Sequence, residues 1–174
     1  MTPGSSFRLA GDALPNPPTP SFADYHCEAA AVSLTRNGHQ SGCTLRVTGQ
    51  WKENLVLDWE TLDPSAEDTH ADQRYCTEHG AYALALLVVH HYKPWQKLER
   101  SVQGTGFDFW LGYGSGPLFQ QKVRLEVSGI FQGTSSDIAA RLAEKLRQAD
   151  TTNQQLQKLA IIVEYSGPEA RVGQ

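Results

Sequence analysis

At 174 residues the chain is long enough for one domain with a single buried core, and too short to argue for two. Its 19 acidic residues against 15 lysines and arginines exclude the dense positive surface of a non-specific nucleic-acid binder, while leaving room for a local basic strip. No apolar run approaches the roughly 20 residues needed to cross a bilayer, so a membrane is not an expected partner.

Residues 1–24 hold five of the nine prolines, including PNPPTP at 15–20, and are expected to form a flexible, Pro-rich arm without chemistry. The N-terminus has neither the basic start nor the apolar stretch of a secretion signal. From residue 25 to 174 the pattern reads as one domain. Ala29–Arg36, Cys43–Gly49 and Asn54–Trp59 are short β-like runs, broken by turn signals at Asn37-Gly38 and Gly49-Gln50. Together they predict a three-stranded antiparallel β-meander over 25–62.

Asp63-Pro64-Ser65 opens a helical region that runs to about Tyr92. Its strongest part, TEHGAYALALLVVHHY, is too apolar for a surface and predicts a central helix that stops before Pro94. Glu78 falls on the line Tyr75, Glu78, Tyr82, Ala85, Val89, an unusual address for a glutamate because that stripe is largely apolar. Lys97–Val102, Phe107–Leu111 and Lys122–Ile130 then read as strands joined by glycine turns. Period-two alternation puts Asp108 and Trp110 on one face of the second strand. It puts Lys122, Arg124, Glu126 and Ser128 on one face of the third.

Thr134 or Ser135 caps a second helix that runs to about Ala149, with Ile138, Leu142 and Ala149 as its apolar stripe and Lys145 inside that stripe. Asp150–Lys158 is polar loop or frayed helix, Leu159–Tyr165 is an apolar internal strand, and the remaining residues read as a tail. The fold class is therefore mixed α/β, with an α-β-β-β-α-β order over 66–166 behind a β-rich N-terminal layer.

Two carboxylates in strands that otherwise look buried, Asp108 and Glu126, need partners, since an unpaired buried carboxylate is costly. One solution is a divalent ion such as Mg2+ or Mn2+, held by Asp108 and Glu126, with Glu78 supplying or orienting a third ligand. Such an ion activates water and stabilises charge on a phosphate. The ordinary solution is that Asp108 caps a glycine turn while Glu126 pairs with Arg124, Lys122 or Arg100.

The other motifs carry less. Gly104-Thr105-Gly106 and Gly112-Tyr113-Gly114-Ser115-Gly116 lack the spacing of a phosphate-cradling loop and read as turns. Cys76 and His79, with His90-His91, lack a zinc spacing, and Cys76 has no identifiable base to make it a nucleophile. The three cysteines, Cys27, Cys43 and Cys76, are an odd number without a CxxC, which suits a reducing, cytoplasmic setting. Trp51, Trp59, Trp95, Trp110, Tyr113 and Phe119 are not interleaved with basic residues, so packing is their expected use rather than base stacking.

With Glu78 in the first helix, Asp108 in the second strand and Glu126-Val127-Ser128 in the third, residues 66–166 resemble the PD-(D/E)XK, or restriction-endonuclease-like, nuclease superfamily. The chain is also similar to a group of bacterial proteins sharing GTGFD-[FY]-WLG and RLEVSGI motifs. The superfamily resemblance implies metal ions on the strand acids and hydrolysis of nucleic-acid phosphodiesters, with Glu78, Asp108 and Glu126 as the acids. In that pattern a lysine stands two residues after the second acid. Here the position is Ser128, which cannot supply positive charge, and Lys145 on the second helix is the natural replacement, with Lys122 and Arg124 as alternatives. The resemblance thus implies either a Mg2+-dependent nuclease or a non-catalytic relative that binds or scaffolds a protein assembly, defence-related assemblies included. An immunity-type binding protein is a third possibility.

Overall fold

A computed structural model of the chain describes residues 5–15, 18–113, 122–149 and 156–174. The elements run β1 (Ser6–Arg8), α1 (Pro20–Arg36), β2 (Cys43–Gly49), β3 (Glu53–Asp58), α2 (Ala66–Thr69), α3 (Gln73–Tyr92), β4 (Lys97–Arg100), β5 (Phe109–Gly112), β6 (Lys122–Ile130), α4 (Ser135–Ala149), β7 (Lys158–Glu164) and β8 (Glu169–Gly173). The strands make one mixed sheet of eight in the order β1-β3-β2-β8-β7-β6-β5-β4. The mixed α/β class expected from the sequence is what forms.

The N-terminal third departs from expectation. Ala29–Arg36 is not a strand but the second half of the 17-residue helix α1. Thr19 caps that helix by accepting the Phe22 amide, and Pro20 sits in its first turn, where a missing N–H costs nothing. The three-stranded meander is therefore replaced by an antiparallel β2–β3 hairpin. A third strand comes from the supposed arm, as β1 pairs parallel to β3 with Phe7 opposite Leu57. Residues 1–24 are thus not a free arm throughout, since they supply β1 and the start of α1. The supposed tail is also structured. Its residues form β8, which is hydrogen-bonded to β7 on one side and β2 on the other, so it joins the two halves of the sheet.

Alternation explains the core. Leu45, Val47, Leu55, Leu57, Phe109, Leu111, Val123, Leu125, Val127, Leu159, Ile161, Val163, Ala170 and Val172 point to one face and pack under α1 and α3. Helix α3 is capped by Asp72, which accepts the Arg74 and Tyr75 amides, and from Gly80 to Val89 it is buried. α1 lies close beside it because Ala30 faces Gly80, where an added Cβ would sit 2.7 Å from the Ala30 backbone. α4 covers the opposite face, with Leu142 and Leu146 against Gly173. The parallel strands β6 and β7 are joined through α4, which lies over the polar face of β6, with Lys145 reaching Glu126 and Arg141 reaching Ser128.

Candidate functional site

β5 leaves β6 early. The two strands pair from Gly112↔Lys122 to Phe109↔Leu125, and the last contact of this edge is the Asp108 amide donating to Leu125 O at 2.9 Å. β6 continues to Ile130 with only β7 beside it. Two of its backbone donors, at Val127 and Gly129, therefore face the side β5 has vacated, and a buried amide needs an acceptor. Carboxylates supply both. The Val127 amide donates to Asp108 Oδ2 at 2.9 Å, and the Gly129 amide donates to Glu78 Oε2 at 3.1 Å. Glu78 arrives from the first turns of α3, which crosses this edge so closely that a Cβ on Gly129 would meet Thr77 O at 2.5 Å.

Glu126 lies between these residues, on the α4 side of β6, and is 5% exposed. Lys145 Nζ donates to Glu126 Oε1 at 2.5 Å. Burial is the largest influence on Glu126 and pushes its carboxyl up to about 7, with the neighbouring Asp108 charge acting in the same sense and Lys145 opposing. Burial also raises Glu78, offset by the Gly129 amide and by Lys145. Three acids thus share one electrostatic neighbourhood around one lysine.

The second oxygen of Asp108 is held from the other side. Tyr82 Oη donates to Asp108 Oδ1 at 3.0 Å, and Arg100 Nη2 donates to Tyr82 Oη at 3.1 Å. The Arg100 guanidinium lies 4.5 Å from the Tyr82 ring centroid and 4.9 Å from that of Phe109, and reaches within 3.9 Å of Asp108 Oδ1. It is a cation fixed by stacking yet 51% exposed at its side chain.

Asp108 and Arg100 stand on the partition between two clefts. One, of about 690 Å³, is lined by Arg74, Tyr75, Glu78, His79, Tyr82 and Lys145 among others. The other, of about 440 Å³, runs along Ser101–Phe107 and reaches Glu126. The loop that walls it turns through Gly104 and Gly106, whose φ of 91° and 79° favour glycine. This is the turn role expected for the first glycine group. The second lies partly outside the described residues.

The fold therefore brings Glu78, Asp108, Glu126 and Lys145 together. It uses Ser128 otherwise than a motif lysine would be used. Arg141 Nη1 donates to Ser128 Oγ at 3.0 Å, and Ser128 Oγ faces Glu78 Oε1 at 3.4 Å. Of the alternative cations, Arg124 turns away to Leu156 O at 3.2 Å, and the side chain of Lys122 lies outside the described residues. Sequence reasoning missed Tyr82 and Arg141. Arg141 is legible in retrospect, because it stands one turn before Lys145 on the same helix face. Tyr82 was placed on the Glu78 stripe but given no part.

A magnesium ion suits this donor set in part. Hard oxygen ligands are present in two adjoining carboxylates, Asp108 and Glu126, one of them resisting ionisation beside the other. Glu78 is committed to the β6 edge, and among the described residues no three His, Cys, Asp or Glu side chains form a metal-holding group. The fit is of two protein ligands, with Glu78 beside them. Compared as a whole, the chain matches no protein-family profile, no curated protein and no solved structure.

Proposed function

We propose that the protein is a metal-dependent phosphodiesterase acting on nucleic acid, with a restriction-endonuclease-like core in α3-β4-β5-β6-α4-β7. The observation that carries this reading is the pairing of Asp108 and Glu126 where β5 parts from β6, with Lys145 closing on Glu126 from α4. The order of elements supports it as well: strands β4 to β7 are consecutive in the sheet, with antiparallel, antiparallel and parallel pairing.

Asp108 and Glu126 would hold a magnesium or manganese ion, which supplies Lewis-acid polarisation of a phosphoryl oxygen and an acidified water. Asp108 is oriented by Tyr82 Oη and by the Val127 amide, so its carboxylate is fixed before substrate arrives. Lys145, 21% exposed at its side chain, stands at the cleft wall, where its ammonium can donate to a phosphoryl oxygen and offset charge developing there. Arg100, anchored on Tyr82, binds the adjacent phosphate as a bidentate donor. Glu78 holds the β6 edge and orients Ser128.

A specific observation favours the second reading, a non-catalytic binding subunit. Both Asp108 oxygens already have protein donors, and the motif-lysine position is a serine held by Arg141. The deciding experiment is cleavage of single- and double-stranded DNA and of RNA with Mg2+ or Mn2+, comparing wild type with Asp108→Asn. Metal-dependent cleavage that disappears in the variant supports the nuclease. Cleavage that survives Asp108→Asn rejects the assigned site, and no cleavage of any substrate by the wild type leaves the binding subunit.

A further inference from the structure

Three large apolar or aromatic side chains are left exposed among the described residues: Tyr25, Tyr75 and Val102. Two of them line the clefts that meet at Asp108, Tyr75 the larger and Val102 the smaller. Tyr75 is 65% exposed, although α3 is otherwise the most deeply buried helix. It continues as a row. Tyr75, His79 and Tyr82 follow at i, i+4 and i+7 on one face, with ring centroids 6.0 Å apart at 34° and 6.2 Å apart at 31°. Tyr25 from α1 adds a fourth ring, its hydroxyl 3.2 Å from His79 Nδ1 and its centroid 5.4 Å from the imidazole. Burial, and after it the Arg100 and His70 charges, lower His79 below the usual imidazole value.

A row of rings on an exposed helix face offers π surface without closing over it. The same cleft carries Arg74, Arg100 and Lys145, while Asp72, one of its acids, is spent on the α3 cap. Flat apolar surface beside a few fixed cations is complementary to a strand that has both bases and phosphates. In a duplex the base faces are already stacked, so such a platform has nothing to receive. An unpaired strand presents them.

We propose that Tyr75, His79 and Tyr25 form a stacking platform for the unpaired bases of a single nucleic-acid strand, whose phosphates run past Arg74 and Arg100 to Asp108. The proposal deepens the nuclease reading and rests on it for the direction of the strand, but binding at the platform needs neither metal nor chemistry. It involves none of the aromatics weighed from the sequence, Trp51, Trp59, Trp95, Trp110, Tyr113 and Phe119, for which packing is the expected use. Trp95 is buried against His90, and Trp110 packs edge-on to Phe107.

Fluorescence anisotropy in EDTA, where no cleavage occurs, tests it. The probes are a labelled oligothymidylate, the same strand with abasic sites, the matching duplex and oligouridylate. The wild type should bind oligothymidylate roughly tenfold or more tighter than the abasic strand and the duplex, since each stacked base contributes that order of affinity. Tyr75→Ala should remove most of this difference, and Tyr75→Phe should keep it; the residue is exposed, so neither change disturbs the core. Oligouridylate bound as well as oligothymidylate identifies stacking alone as the determinant, and a gap between them shows that the 2′-hydroxyl or the thymine methyl is also read. Equal affinity for abasic and intact strands, an unchanged preference in Tyr75→Ala, or no binding by the wild type overturns the platform. Base-dependent binding without any metal-dependent cleavage leaves the platform standing and removes the nuclease.

Discussion

Lys145 Nζ donates to Glu126 Oε1 at 2.5 Å, joining the middle of α4 to the one acid on β6 that the sheet buries. The lysine is the main local offset to a carboxyl pushed up by burial and by Asp108. A raised folded-state value means that the folded protein takes up the Glu126 proton first. The stabilising contribution is complete below the ordinary carboxylate value and is lost as pH rises to about 7. Lys145→Met should therefore destabilise the protein by about 2 kcal/mol at pH near 8, where Glu126 is left without its cation, and by much less near pH 5. Urea denaturation at both pH values measures this. Glu126→Gln/Lys145→Met should recover most of the loss, because no buried charge remains.

Asp108 has two separable duties. Asp108→Ala leaves the Val127 amide and Tyr82 Oη without their acceptor and should cost about 1–3 kcal/mol, whereas Asp108→Asn keeps an acceptor oxygen and should cost under about 1 kcal/mol. Saturating Mg2+ should raise the wild-type melting temperature, by an amount corresponding to about 2.7 kcal/mol at a hundredfold excess over Kd, and should leave Asp108→Asn unmoved. A magnesium shift of equal size in the variant would show that the ion binds elsewhere.

His26 should contribute to the loss of stability on the acid side. It is buried against Phe22, with ring centroids 3.9 Å apart, and its Nδ1 lies 2.7 Å from Phe22 O. Burial lowers it to about 4 from the usual 6.5. The unfolded chain then takes the proton first, so stability is full above pH about 6.5 and falls as pH drops toward 4. The loss should be on the order of 2 kcal/mol. His26→Phe should flatten thermal stability across that window, and an unchanged slope would assign the acid limb to other groups.

Gly80→Ala is a substitution whose sign is set by geometry rather than propensity. In an open helix it would stabilise by about 1 kcal/mol. Here the added Cβ would lie 2.6 Å from Tyr165 Oη and 2.7 Å from the Ala30 backbone, so α1 and α3 must separate. Overpacking of this kind costs about 1–3 kcal/mol, and the net result should be a loss visible in the denaturation midpoint.

Local chemistry made much of the fold legible. The long apolar run of α3 could only be a buried helix, β6 shows the period-two alternation of a half-polar strand, and Lys145 sits where 3.6 residues per turn put it among apolar neighbours. Ala29–Arg36 reads as a strand yet folds as helix because an alanine-rich run with Val, Leu and Thr suits either equally. The deciding signal was the Thr19-Pro20 start ten residues earlier, in a segment discounted for its prolines. β1 and β8 have little pattern of their own; pairing partners far along the chain make them strands.

Periodicity alone places Glu126 on a face of β6, Glu78 on a buried helical stripe and Lys145 on the inner side of α4, whereas Asp108, expected within a strand over Phe107–Leu111, stands just ahead of β5. Only the tertiary structure decided that they meet. The early departure of β5 from β6 leaves two edge amides open, the carboxylates of Asp108 and Glu78 close on them, and α4 then carries Lys145 onto Glu126. Strand length and register are set by pairing across the sheet, and no local window of the chain contains them.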